Sequence, residues 1–233
     1  MELSDSRLRV APMRLTQLQV GGSVDAWGRL GFIPRSVVSD SGDPEHLIVV
    51  PDLTLSFRDD LSFGPAGLRG WTFASDQPTS SSIGEESMID GITTVRGGST
   101  SQPVPDAHRL GVLGVDHVVV MTGSLDRTSA AIADAVGEPL RRIRDAGNGV
   151  RQGFHKAGSI IIEIVERPDL GSQRGASLWG LVFTVSDLDE VVSWLGPDVI
   201  SSQRDAVQQG RRIATVRHEA GLGVPLALMT PHV

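Results

Sequence analysis

Two ionisable side chains stand inside runs that are otherwise apolar and strand-like. His117 lies in Val115-Asp116-His117-Val118-Val119-Val120-Met121, and Glu163 lies in Ile160-Ile161-Ile162-Glu163-Ile164-Val165. Strand side chains alternate between faces, so His117 shares a face with Val115, Val119 and Met121. Glu163 likewise shares one with Ile161 and Val165. Burying a charged group without a partner is costly, so each of the two needs a reason to be there. A divalent metal would satisfy both, and so would a mutual hydrogen bond. An arginine partner for Glu163 is the plainer alternative, with Arg151, Arg211, Arg212 and Arg217 as candidates.

Other residue groups carry weaker chemistry. His218 and Glu219 precede Gly221-Leu222-Gly223 and form either an acid–base pair or an ordinary surface turn. His155 sits on an expected strand and faces either a pocket or solvent. Trp179 either stacks on a planar ligand or packs in the core. Gly210-Arg211-Arg212, with Arg212 as the candidate contact, suits an anion such as a carboxylate or phosphate, or a turn with solvated arginines. The run Leu140-Arg141-Arg142-Ile143-Arg144 reads as a solvated face. The chain contains no nucleotide-binding glycine loop, no G-x-S-x-G elbow and no zinc-protease histidine pair.

Composition narrows the field. The 233 residues carry a formal net charge of −7, which argues against a nucleic-acid or anionic-membrane surface. With no cysteine, disulfides, zinc–thiolate sites and cysteine nucleophiles are excluded. The segment Met1 to Arg14 is mixed polar, and no apolar run approaches the ~20 residues a membrane span needs, so a soluble cytoplasmic protein is expected.

The elements that must position these residues show a duplication. Leu15 to Asp25 and Val115 to Asp126 each read as a strand, a Gly-Ser turn and a hydrophobic-Asp pair opening a helix, with Ser23 or Asp25 and Ser124 or Asp126 as N-caps. Leu68-Arg69-Gly70-Trp71-Thr72-Phe73 and Leu178-Trp179-Gly180-Leu181-Val182-Phe183 share Leu-x-Gly-x-x-Phe, each after a β-rich segment (Leu53 to Arg58, Ser159 to Glu166). Asp76 to Ser82 and Arg96 to Ala107 read as loops, and the domain boundary is placed at 107/108. The second half is expected to hold a helix over Arg127 to Val136 ended by Gly137 and Pro139. Strands then follow over Leu140 to Asp145, Val150 to Lys156 and Ser159 to Glu166. A second unit has a strand from Ser177 to Val185 and a helix from Leu188 to Leu195. Its further strands are expected at Val199–Ser202, Arg212–His218 and Val224–Met229.

Two βαβββ units in about 120 residues resemble the vicinal-oxygen-chelate superfamily, which includes glyoxalase I, methylmalonyl-CoA epimerase, extradiol dioxygenases and bleomycin-binding proteins. The resemblance rests on Val115 to Val120, Ile160 to Glu166, and Val182-Phe183-Thr184-Val185-Ser186-Asp187-Leu188-Asp189. It implies an α+β fold of two tandem glyoxalase-like domains, 1–107 (degenerate) and 108–233, with curved mixed sheets. It also implies a cup in which His117 and Glu163 are metal-ligand positions on neighbouring strands, and a divalent ion (Mg, Mn, Zn, Ni or Fe) as the cofactor. The second unit departs from the pattern, since Gly180 and Ala227 fall at its ligand positions. In the first half Gln17 matches His117, and Ser56 falls at the Glu163 position. Three functions follow as expectations. The first is a cup binding a small organic metabolite or antibiotic. The second is a metal-assisted lyase or isomerase, not an extradiol dioxygenase, with His218 or Glu219 moving the proton. The third is a non-catalytic structural module. Four units in one chain can complete both cups internally, so a monomer or weak homodimer is expected, with a small molecule rather than nucleic acid or membrane as partner.

Overall fold

In the computed structural model, which describes residues 12–39, 42–58, 66–75, 84–97 and 100–232, the hydrophobic alternation sorts into two mixed sheets. The first half contributes β1 (Met13–Gly21), α1 (Val24–Arg29), β2 (Arg35–Val38), β3 (Pro44–Val50), β4 (Leu53–Arg58), β5 (Gly67–Ser75), β6 (Glu85–Ile89) and β7 (Ile92–Arg96). The second contributes β8 (Val112–Thr122), α2 (Leu125–Val136), β9 (Arg142–Asp145), β10 (Arg151–Ala157), β11 (Ile160–Glu166), β12 (Ser177–Val185), α3 (Leu188–Leu195), β13 (Arg204–Asp205), β14 (Arg212–Thr215) and β15 (Leu226–Met229).

Strand order is β2-β3-β4-β1-β5-β7-β6 in one sheet and β13-β14-β15-β12-β8-β11-β10-β9 in the other. Each unit places its first strand parallel to its last: β1 with β4, β5 with β7, β8 with β11, β12 with β15. The two first strands of each sheet meet antiparallel at its centre, β1 with β5 and β8 with β12. A parallel neighbour needs a long crossover, which a helix and strands supply between β1 and β4, β8 and β11, and β12 and β15. The expected α+β arrangement of tandem glyoxalase-like domains is therefore the observed one.

Local chemistry sets the helix ends. The Ser23 and Ser124 hydroxyls accept from the Asp25 and Arg127 amides, and the Asp187 carboxylate accepts from Glu190. Gly137 ends α2 in the left-handed conformation, with φ 74°. Helix α2 starts two residues earlier than expected, at Leu125, because Ser124 is the cap. Two expected strands shrink. Only an isolated bridge from Ile200 to Val216 stands where a strand over Val199–Ser202 was expected, and the edge strand is Arg204–Asp205 instead. Beyond Thr215 the chain turns into a 3-10 segment at His218–Ala220. The loop expected at Asp76 to Ser82 lies outside the described residues.

The apolar core runs through both halves without a break. Phe32, after α1, meets Phe183 of β12 with ring centroids 5.6 Å apart. The β6–β7 turn is tied to the second half by Asp90, whose carboxylate accepts from Arg127 at 2.7 and 3.2 Å and whose carbonyl accepts from the Ala176 amide. Arg109, between the sheets, stacks over Trp194 of α3 at 4.2 Å. Among the described residues no helix is long and apolar enough to cross a membrane.

Phe183 is fully buried where the halves meet. Phe183→Ala is expected to lower the unfolding free energy by about 3–5 kcal/mol while keeping one cooperative transition in urea. A loss below about 1 kcal/mol, or two separate transitions, would show that the halves do not share a core.

Candidate functional site

Helix α2 covers one face of the C-terminal sheet, where Val118, Val120, Ile160, Ile162 and Ile164 are fully buried with Leu125, Ile132 and Val136. The opposite face is concave and encloses a hollow of about 840 Å³, within the usual range for small-molecule sites. His117 and Glu163 both line it. They come from adjacent parallel strands, in a register that sets Ile161 beside His117 and Glu163 beside Val119. The imidazole Nε2 lies 3.2 Å from the Glu163 carboxylate. The two side chains stand within ion-pair distance, so each meets a polar partner across the strand pair.

A feature the sequence reading missed sets the other side of the imidazole. Between β8 and β12 the pairing passes from Val115 with Phe183 to His117 with Val182, leaving Asp116 as the extra residue of a β-bulge. Simple alternation would put Asp116 and His117 on opposite faces. With the bulge, the Asp116 carboxylate lies 2.7 Å from His117 Nδ1. Asp116 is buried and so is its second partner, Arg211, with side-chain exposures of 7% and 1%. Burial alone would push the Asp116 carboxyl up, but hydrogen bonds from His117 and Arg211 hold it below the ordinary carboxylate range. An ionised carboxylate only accepts, so Nδ1 carries the proton it donates to Asp116, and Nε2 is the atom turned to Glu163 and the hollow.

Glu163 has a further partner in Gln152, whose amide donates to it at 2.6 Å and whose carbonyl oxygen accepts from Arg144. None of the four arginines weighed as its partner serves. Arg151 binds Glu166 and Asp126, Arg212 binds Asp189, Arg217 donates to the Pro197 carbonyl, and Arg211 is committed to Asp116.

The remaining candidates are placed as follows. His155 is among the residues lining the hollow, but its buried ring is held from the helix side, with Nε2 2.9 Å from the Ser129 hydroxyl and Nδ1 3.2 Å from the Glu138 carbonyl. Trp179 is the extra residue of another bulge and stays 47% exposed, away from the hollow. Arg212 is exposed and clamped in two hydrogen bonds to Asp189. His218 and Glu219 are exposed on their 3-10 turn and do not line the hollow. The arginine run at β9, read as a solvated face, is largely exposed and also lines the hollow's lip through Arg141, Arg142 and Arg144.

Whether these residues fit a metal centre turns on the donors. Among the described residues no group of three or more His, Cys, Asp or Glu side chains is placed to hold an ion. The position equivalent to His117 in the next unit is Gly180, where an added Cβ would sit 2.5 Å from the Pro225 carbonyl oxygen. Backbone fills the place of a third ligand, and Ala227 supplies no fourth. Two donors do not make the closed set of three or four that a tightly held zinc needs. The first half is poorer still. Its β1 bulge leaves Gln17 at the His117 place and Ser56 at the Glu163 place, and the crevice there measures about 10 Å³ among the described residues, too small for more than a water.

Comparison with known proteins agrees with this architecture. No protein-family model matches the chain, and no curated protein matches it. Among solved structures it is similar to a triple mutant of 4-hydroxymandelate synthase from Streptomyces coelicolor, at 14% identity and TM-score 0.67, covering 95% of this chain and 93% of that one. The fold is the tandem vicinal-oxygen-chelate fold. A xylose isomerase-like TIM barrel/4-hydroxyphenylpyruvate dioxygenase fusion protein matches over 94% of this chain and 49% of its own, at 11% identity and TM-score 0.64. A methylmalonyl-CoA epimerase from Mycobacterium tuberculosis matches 55% of this chain and 94% of its own, at 22% identity and TM-score 0.45. At such identities the likeness concerns the fold and not the chemistry.

Burial pushes the imidazoles of His155 and His108 below their ordinary 6.5. Both are neutral when folded, so the unfolded chain takes up more protons as the medium acidifies. The stability they contribute is complete above about pH 6.5 and is lost as pH falls through the folded values. His155→Gln is expected to flatten this acid limb in melting temperatures recorded from about pH 7 to 5. A pH profile of unchanged shape would mean that His155 does not titrate there.

Proposed function

We propose that this protein binds a small organic molecule in the hollow of its C-terminal domain, residues 108–233. The observation that carries this reading is the His117–Glu163 couple, set on the wall of an open cavity of about 840 Å³ between Phe154, Ile161, Ile213 and Met229. An apolar wall with few convergent polar groups is the usual make-up of a ligand site. The couple presents an imidazole nitrogen and a carboxylate side by side to a ligand's polar group, and Asp116 fixes which nitrogen is presented. An open hollow argues against a purely structural module, for which a filled cup is expected. The N-terminal domain, residues 1–107, serves in this reading as a degenerate partner that completes the core.

Ligand-observed NMR with a library of small organic acids, amides and phenols tests the reading. Hits should lose about tenfold or more in affinity on His117→Ala and on Glu163→Gln, the expected effect of removing one buried hydrogen-bonding partner. Hits that bind both variants as they bind the parent would place the ligand elsewhere.

A metal-dependent lyase or isomerase has less behind it. The hydrogen bond from His117 Nδ1 to Asp116 is of the kind that orients a metal-bound histidine, but two side chains would hold Mg or Mn only weakly, with water completing the shell. Protein purified and dialysed without chelator should retain well under one equivalent of any divalent metal by plasma emission spectrometry. One tightly bound equivalent, lost in His117→Ala, would reverse the order of the two readings.

A further inference from the structure

The lip of the hollow is basic although the chain is acidic. The whole sequence holds 21 Lys and Arg against 28 Asp and Glu. The hollow is lined by five cationic side chains, Arg141, Arg142, Arg144, Lys156 and Arg204, against Glu163 as the one carboxylate among its lining residues. Two of the five are already engaged, Arg141 with Glu138 and Arg144 with Gln152. Arg142, Lys156 and Arg204 have no ion-pair or hydrogen-bond partner among the described residues, and all three are exposed. Their placement is informative, because β9 and β13 are the two opposite edges of the eight-stranded sheet. Arg142 comes from one edge and Arg204 from the other, so the curvature that closes the cup also brings both charges to one cavity. Like charges gathered around a low-dielectric concavity repel one another and focus a positive potential into it, an arrangement an anion relieves.

We propose that the molecule taken by this hollow is an amphipathic organic anion. Its carboxylate or phosphate is held at the lip by Arg142, Lys156 and Arg204, and its apolar body lies against Phe154, Ile161 and Met229. This rests on the binding reading above and names the class of ligand. The two arginines can engage an anionic oxygen pair through two parallel N–H donors each, and the lysine adds a point charge. The apolar floor excludes a bare inorganic ion as the preferred occupant, since it would leave that surface uncovered.

Isothermal titration with phenylacetate, phenyl phosphate and neutral 2-phenylethanol tests the proposal. Both anions should bind at least about tenfold more tightly than the alcohol, and more weakly as salt is raised. The ratio between the two anions tells which headgroup the lip prefers. The triple variant Arg142→Gln, Lys156→Gln, Arg204→Gln, confined to exposed side chains, should lose that preference while binding the alcohol as before. Equal binding of alcohol and anions, or undiminished anion binding by the triple variant, overturns the anion proposal and leaves the pocket reading standing. Anion binding that depends on the three cations but is untouched by Ile161→Trp, which fills the hollow, places the anion on the outer surface and overturns both. No heat from any of the three probes also overturns both.

Discussion

The buried ion pair between Arg211 and Asp116 is the interaction on which the rest of the site depends. A carboxylate enclosed in a sheet would be strongly destabilising alone, and a guanidinium equally so. Together they are satisfied because Arg211 also donates to the Thr230 carbonyl and the Thr184 hydroxyl and lies 3.1 Å from His232 Nε2. One side chain thus joins the chain's C-terminal segment, β12 and the bulge of β8. The consequence passes to His117, whose tautomer is fixed by the ionised Asp116, and so to the nitrogen that stands 3.2 Å from Glu163.

The two halves use one architecture for different ends. Both place a bulge near the middle of the first strand, at Thr16 in one and at Asp116 in the other. In the first half the bulged residue is a threonine that donates to the Thr72 carbonyl, a neutral bond that needs no buried cation. The adjoining positions are Gln17 and Ser56, and the hydroxyl of Ser56 is taken up by Glu45. Among the described residues these positions hold no imidazole or carboxylate like those of the second half. The same asymmetry recurs within the C-terminal sheet, where Gly180 and the Pro225 backbone occupy the space that a second pair of donors would need.

Much of the fold was legible in the sequence. Polar caps, glycine stops and alternating apolar runs are local signals, and they located the helices and the long central strands. The repeated Leu-x-Gly-x-x-Phe and the Gly-Ser turns marked the duplication, because equivalent strands face equivalent neighbours. His117 and Glu163 stood out for a local reason as well: a charge inside an apolar run must have a partner. The short edge strands were not legible, since two-residue β13 and the bridge at Ile200 exist only because a neighbour is present to pair with them.

What the sequence by itself determined was therefore the presence of the βαβββ units and the need for something to satisfy an imidazole and a carboxylate. Only the tertiary structure decided what that something was. Asp116 faces His117 because of a bulge, and a bulge is set by pairing with β12, where Val182 and Phe183 stand opposite His117 and Val115. Arg211 reaches Asp116 across 95 positions, and neither residue carries a local mark of the other. The arginines of β9 looked like a solvated face because a period-two pattern cannot reveal curvature. Bending the sheet until its edges face one cavity turned that run into the lip of that cavity, while the same packing left His218, Glu219 and Trp179 outside it.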